Sequence, residues 1–331
     1  MLKLGIIGTN GISDGFADAI QPAAAYELHS ILSRSLDKAE KFAQKYGEHI
    51  LAYDSLESFL DDEALDVVYI ATPNGLHYAE AKAALEAKKH VIVEKPAFSN
   101  PSEMTEIIKV AQTNGVYFFE AIRTLYNDGF RAIQDFLAGK TVLGADFRFI
   151  SYDYRMPEVL AGGDPPSFSA KYSGGTLTDI GVYLLYPTLR LFGLPAEVSY
   201  SAKFLPTGVD GNGTALLDYG DFQVSFELGR NIQTCLAQSE IYLQDGTLLI
   251  DSFANFENIT WFPHQGEVQS LSFEKKQNSM TDQALLFAEV IRTADTEKFD
   301  RLTLLTRQVN DVMYKMRQRA GIHFLADEKD K

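Results

Sequence analysis

Three short stretches of this chain bring together residue types able to move a proton or hold a phosphate. Glu94-Lys95-Pro96 sets a carboxylate and an ammonium just before a proline, which holds Lys95 toward an extended backbone and narrows where its side chain can aim. SGGTLTDIGVYLL carries Asp179 and Tyr183 at i and i+4, on one face if the stretch is helical. Lys95, Asp179 and Tyr183 make a proton-handling trio if folding joins them. The plain alternative for Glu94 and Lys95 is a solvated pair of charges at a strand exit. GIIGTNGISDGF runs from an apolar strand into Gly8, Thr9, Asn10, Gly11 and Ile12, a turn whose backbone N–H groups can meet a pyrophosphate at the start of a helix. In the pattern G-x-G-x-x-G/A the second glycine falls where Asn10 stands. Asparagine tolerates left-handed backbone angles, but its side chain occupies space that a dinucleotide approaches.

The next strand-like run ends at Ser33-Arg34, with Lys38 one helical turn farther on. A site that prefers NAD places a carboxylate there to accept from the ribose 2′-OH, yet no acidic side chain occurs from Leu28 through Leu36. A hydroxyl, a guanidinium and an ammonium match a 2′-phosphate instead, so NADP is expected, with NAD as the alternative. The histidines and the one cysteine form no spaced zinc cluster, and no metal is expected. Trp261 and His264, in ITWFPHQG, read most simply as the end of a strand and its turn.

These residues need a scaffold, and 331 of them exceed one small core and point to two domains. As far as Ile122 the chain alternates. Buried-type strands at Leu4–Ile7, LHSILS, DVVYIAT, HVIVEKP and VYFFEA are separated by helices from about Asp14, over Leu36–Tyr46, over His77–Lys88 and after Asn100-Pro101. That alternation describes a parallel sheet covered on both faces. From Arg123 to residue 331 the pattern is a helix near Leu125–Leu137, then strands with tight turns at Gly220-Asp221 and Asp245-Gly246, then two closing helices, an α+β domain with a mainly antiparallel sheet. The terminal AGIHFLADEKDK reads as an acidic tail, loose at its end.

Lys and Arg number 30 against 45 Asp and Glu, a net charge of −15 that repels phosphate backbones, and no basic stripe accompanies the aromatic patches; no nucleic-acid partner is expected. No apolar run reaches about 18 residues, so no membrane span is expected. A single cysteine, Cys235, fits a reducing, cytoplasmic setting.

Taken together, GIIGTNGIS, LSRSLDKAEKFAQKYG, ATPNGLHYAEAKAALEAKKHVIVEKP, FFEAIR and SGGTLTDIGVYLL resemble the glucose–fructose oxidoreductase/inositol dehydrogenase (Gfo/Idh/MocA) family of NAD(P)-dependent oxidoreductases. The tyrosine form of the last motif is similar to the branch of dimeric dihydrodiol dehydrogenase and NADP-dependent xylose dehydrogenase. The resemblance implies an amino-terminal Rossmann domain over 1–122 and a carboxyl-terminal α+β domain over 123–331, whose open sheet forms an oligomer face. It implies that Lys95 binds substrate near the nicotinamide and helps move the hydroxyl proton. Asp179 then binds substrate or relays protons, and Tyr183 stands where many members carry a catalytic histidine. Thr72, Pro73, Asn74 and His77 match the segment on the nicotinamide side of the cofactor, with Glu94 and Arg123 near the same cleft. Tyr183 in place of histidine turns the expectation away from an inositol dehydrogenase.

The expectation is an NADP-dependent oxidoreductase acting on a secondary hydroxyl or carbonyl of a small sugar, polyol or diol, as a homodimer. The alternative is a noncatalytic NADP-sensing protein on the same fold, for which Asn10 is the argument. Free lysine and tyrosine titrate near pH 10.4 and 10, so either would need help to act as a base at neutral pH, while both could donate to a new alkoxide as they stand.

Overall fold

The computed structural model describes residues 1–330. They form two units, one of Met1–Ile122 with Asn278–Leu304, the other of Arg123–Gln277 with the chain from Leu305 on.

The first unit is built on a six-stranded parallel sheet in the order β3-β2-β1-β4-β5-β6. Its elements are β1 (Leu2–Ile7), α1 (Gly11–Ala23), β2 (Tyr26–Leu32), α2 (Leu36–Gln44), β3 (Leu51–Tyr53), α3 (Leu56–Leu60), β4 (Val67–Ile70), α4 (Asn74–Glu86), β5 (His90–Glu94), α5 (Pro101–Asn114) and β6 (Phe118–Ala121). Every residue of β4 and β6 is buried, as a strand covered on both faces requires. Asn100 caps α5 by accepting from the Glu103 N–H, and Gly115 closes it in the left-handed region. The first helix starts at Gly11 rather than near Asp14, because Asn10 caps it. The short β3 and α3 carry too few residues for hydrophobic periodicity to register.

The segment Asn278–Leu304 also belongs to this unit, which a single boundary after Ile122 does not convey. The contacts that bring it back are non-local. Phe287 stacks on Phe119 at 4.5 Å, and the Tyr26 hydroxyl donates to the Ala284 carbonyl at 3.0 Å.

The second unit holds α6 (Asp128–Leu137), β7 (Val142–Ile150), α7 (Met156–Leu160), α8 (Val182–Phe192), β8 (Glu197–Phe204), β9 (Asp210–Asp218), β10 (Gln223–Gly229), β11 (Ser239–Leu243), β12 (Gly246–Ile250), β13 (Ile259–Pro263) and β14 (Gln269–Ser270). Its sheet has eight strands in the order β14-β13-β12-β11-β7-β10-β9-β8. The pairs are antiparallel except β7 with β10. The turns at Gly220-Asp221 and Asp245-Gly246 join β9 to β10 and β11 to β12. Two helices close the chain, α9 (Thr281–Thr293) and α10 (Thr296–Arg319).

The expected loose tail is pinned as far as Asp327. Ile322 and Phe324 are buried, and the buried Arg317 guanidinium donates to both Asp327 carboxylate oxygens. Residue 331 lies outside the described residues. Among those described, no helix is long and apolar enough to cross a membrane.

Candidate functional site

A cleft of about 590 Å³ opens at the carboxyl ends of β1, β2 and β4, where a parallel sheet collects ligands. Its wall includes Gly8, Thr9 and Asn10 after β1, Ser33, Arg34, Ser35 and Lys38 after β2, and Thr72 and Pro73 after β4. Gly8 has φ of +108°, and a Cβ there would stand 2.6 Å from the Ala71 carbonyl oxygen, so only glycine fits. Asn10 does not use the left-handed region: its φ is −98°. Its Oδ1 accepts from the Ile12 and Ser13 N–H groups at 2.9 and 3.1 Å, and its Nδ2 donates to the Ala71 carbonyl at 2.7 Å. The side chain is thus committed to the helix cap and to the end of β4. Over the next residue, Gly11, a side chain would meet nothing within 4 Å.

Arg34 and Lys38 are exposed and form no ion pair among the described residues. Two unpaired cations, a hydroxyl at Ser33 and a helix amino end fit the phosphates of a dinucleotide that carries a 2′-phosphate. Among the described residues no group of His, Cys, Asp or Glu could hold a metal ion.

Beside the cleft, the Glu94-Lys95-Pro96 turn is braced on several sides. Tyr69, stacked on Phe16, donates to Glu94 Oε1 at 2.5 Å, and Ala97 N–H donates to Glu120. The Lys95–Pro96 peptide is cis. His77 is fully buried, with Nδ1 3.0 Å from the Pro96 carbonyl oxygen and Nε2 2.8 Å from that of Thr72. Burial holds its imidazole below the ordinary value, although both carbonyls act the other way. His77 therefore ties the cofactor segment to the lysine turn from within. Lys95 itself is half-buried, and Asn74 opens α4.

In the second unit Asp179 lies in a π-helical turn, Leu177–Gly181, that leads directly into α8. Such wide turns recur at functional sites because they displace one side chain from the regular helical stripe. The turn is anchored from below by Asp210, a fully buried carboxylate that accepts from the Thr176 and Leu177 N–H groups at 3.0 and 2.7 Å and from the Tyr200 hydroxyl at 2.6 Å. Gly175, at φ +119°, gives the chain room beside it. Burial raises the Asp210 carboxyl, and the hydroxyl and N–H donors act against that rise.

Above the turn, the buried Arg230 guanidinium donates from one nitrogen to Asp179 and from another to Asp153, and it packs on the Phe168 ring at 4.4 Å. Asp153 also receives a bidentate pair from Arg155 at 2.8 and 2.9 Å. Burial alone would raise Asp153, but the Arg155 hydrogen bonds and the Arg230 charge bring its carboxyl down to about 2. Tyr183 is half-buried against Phe149, with ring centroids 5.7 Å apart.

The cleft thus gathers Gly8, Thr9, Asn10, Ser33, Arg34, Lys38, Thr72 and Pro73, while Gly11, Ile12, Asn74, His77, Glu94 and Lys95 belong to the same unit but not to that wall. Asp179, Tyr183 and Arg123 belong to the second unit, where Arg123 donates to Asn255 Oδ1 at 3.2 Å. Arg230, Asp153 and Asp210 escaped the sequence reading, since nothing local links them to Asp179.

Residues 2–121 match the GFO/IDH/MocA model described as an oxidoreductase family with an NAD-binding Rossmann fold, and residues 146–249 match the GFO/IDH/MocA C-terminal domain. An uncharacterized oxidoreductase of Escherichia coli (strain K12), YgjR, is 33% identical over 99% of both chains. The NADP(+)-dependent scyllo-inositol 2-dehydrogenase IolU of Bacillus subtilis (strain 168) is 31% identical over 99% of this chain and 100% of its own. Trans-1,2-dihydrobenzene-1,2-diol dehydrogenase of Homo sapiens is 30% identical over 70% of this chain and 69% of its own. In three dimensions the chain is similar to KijD10, a 3-ketoreductase from Actinomadura kijaniata in complex with NADP and TDP-benzene, with a TM-score of 0.83, 19% identity, and 96% of this chain and 97% of that one covered.

Proposed function

The chain belongs to the GFO/IDH/MocA oxidoreductase family, and from that premise we propose that it is an NADP-dependent dehydrogenase or reductase acting on a secondary hydroxyl or carbonyl of a small sugar, polyol or diol. The observation that carries the cofactor choice is the cleft, where Arg34 and Lys38, which form no ion pair among the described residues, stand beside the glycine turn and no acid occurs from Ser33 through Leu36. NAD is the weaker cofactor on this reading. The argument for a noncatalytic sensor loses its ground in Asn10, whose side chain is held in the helix cap.

When bound, nicotinamide supplies the hydride chemistry, and the protein has to position the substrate and manage one proton. Lys95 in the first unit and Tyr183 in the second are the two proposed proton carriers, each able to donate to a new alkoxide as it stands. Asp179, ion-paired to Arg230, holds a neighbouring hydroxyl as a fixed acceptor, since a carboxylate stabilised by a guanidinium is a poor place to put a proton. Thr72, Pro73 and Asn74 flank the cofactor, and His77 and Glu94 support Lys95 from behind; Arg123 completes the set expected near the nicotinamide.

Asp179 and Tyr183 support a place near the dihydrodiol and xylose dehydrogenase branch, as does the diol dehydrogenase match. The match to a scyllo-inositol dehydrogenase returns cyclitols to the substrates worth testing, against the expectation drawn from Tyr183. A homodimer in a reducing cytoplasm completes the reading, supported by the open sheet of the second unit and the lone exposed Cys235.

The test is a panel of sugars, cyclitols, diols and their ketones, followed at the nicotinamide absorbance band with NADP and with NAD. Turnover with NADP on a vicinal diol or cyclitol supports the reading. Tight NADP binding with no turnover across the panel would reverse it in favour of a sensor.

A further inference from the structure

Glu80, like Asp54, lies on the wall of the cofactor cleft, where an acid is out of place beside phosphates. It stands on α4 one turn after Leu76, and both side chains line the cleft together with Leu56. Its Oε2 accepts a 2.5 Å hydrogen bond from Thr72 Oγ1. Its other oxygen has no partner among the described residues, and the carboxyl forms no ion pair there. Burial pushes this carboxyl up to about 7, against the pull of the Thr72 hydroxyl. An acid so placed repels the phosphates that Arg34 and Lys38 attract. It is accounted for if the bound molecule brings a hydrogen-bond donor to the unused oxygen.

The adenosine half of the cofactor offers two kinds of donor, the exocyclic amino group of the base and the ribose hydroxyls. Leu56 and Leu76 give this part of the wall apolar surface suited to the flat face of a base. Ser33, Arg34 and Lys38 give the other part polar groups suited to a ribose and its phosphate. We propose that Glu80 reads the adenine, accepting a hydrogen bond from its amino group. The proposal rests on the NADP reading above.

The sign of one measurement separates this from simple electrostatics. Neutralising an acid beside a polyanion should tighten binding if charge is all that matters; losing a specific acceptor should weaken it. Dissociation constants are measured at pH 8.5 by calorimetry, for NADP and for its hypoxanthine counterpart, which carries a carbonyl oxygen where adenine has the amino group. Wild type should bind NADP about ten- to a hundredfold more tightly than the hypoxanthine form, the range expected for a hydrogen bond to a charged group. E80M should bind both alike, with its loss confined to NADP. E80Q, which keeps an acceptor oxygen and most of the shape, should recover part of the discrimination. Tighter NADP binding by E80M overturns the proposal and leaves Glu80 as a strut for Thr72. Wild type that binds both forms alike overturns it too, and if E80M then weakens both, the carboxyl serves a ribose hydroxyl instead. Wild type that binds no NADP at millimolar concentration is a different failure, that of the cofactor reading itself.

Discussion

Exchanging Arg34 for alanine removes one positive charge from the cofactor cleft and leaves the glycine turn untouched. An exposed guanidinium on a 2′-phosphate contributes at the low end of charged hydrogen bonds, about 1.5 kcal/mol, or roughly tenfold in the NADP dissociation constant. NAD affinity should stay as it was; an equal loss for both cofactors means general damage. This site was legible in the sequence because its parts are local: a turn and a strand end announce themselves by composition. The residues proposed to be catalytic pose a different test. Lys95→Ala and Tyr183→Phe should each lower single-turnover hydride transfer by about 10²–10⁴-fold while sparing NADP binding. Unchanged chemistry in both variants would remove them from the mechanism. Arg230 was not legible, since its pairs with Asp179 and Asp153 span 51 and 77 positions of sequence. Arg230→Met should raise KM for the substrate with NADP affinity unchanged, because Asp179 loses the group that holds it; Arg230→Lys, which keeps the charge, should restore part of the loss. Equal KM values for wild type and Arg230→Met would show that Asp179 needs no such support.

At the scale of elements, periodicity finds the long helices and the alternating strands, but it has no signal for the π-helical turn under Asp179. Asp179 lies in that turn and Tyr183 just past it in the first turn of α8, so the i, i+4 pair spans the junction of the two rather than one regular helical face. What shapes that turn is Asp210, at the start of β9, together with a glycine whose role is steric. A Cβ on Gly175 would stand 2.3 Å from Asp210 Oδ1, at a φ that side chains rarely adopt. Gly175→Ala should therefore destabilise the protein by about 1–3 kcal/mol from backbone strain alone, with the collision added. Asp210→Asn leaves one of two buried N–H groups without a good acceptor, at a cost of about 1–3 kcal/mol. Urea unfolding gives both figures. The functional consequence is separable: at a denaturant-free temperature well below the midpoint, both variants should lose single-turnover rate, because Asp179 donates its own N–H to the Gly175 carbonyl and moves with it. Full activity in a destabilised Gly175→Ala would make the turn a matter of stability only.

The whole molecule has a face to cover. Along β9, β11 and β13, Ala215, Leu217, Ile241, Leu243 and Trp261 are buried, while Leu216, Tyr242 and Phe262 point the other way and remain 39%, 37% and 43% exposed. Strand register sets Ser199, Leu216, Ser225, Asp146, Glu240 and Leu249 in one row across that outer face. Its polar members already satisfy one another: Ser225 donates to Asp146, Arg148 pairs with Asp146, and the Tyr242 hydroxyl donates to Glu240. A face whose polar groups are paired in advance can be buried against a second copy with little loss of hydrogen bonding. A two-fold arrangement is then the simplest, since the same patch serves both partners. The protein should be a dimer by light scattering at micromolar concentration, and Leu216→Glu combined with Phe262→Glu should make it a monomer whose circular dichroism is unchanged. Each copy carries a net charge of −15, so the wild-type dimer should loosen as salt is lowered and repulsion is less screened. A native monomer at every salt concentration would leave the apolar members of this face unexplained, whereas a dimer indifferent to both substitutions would move the interface to another surface.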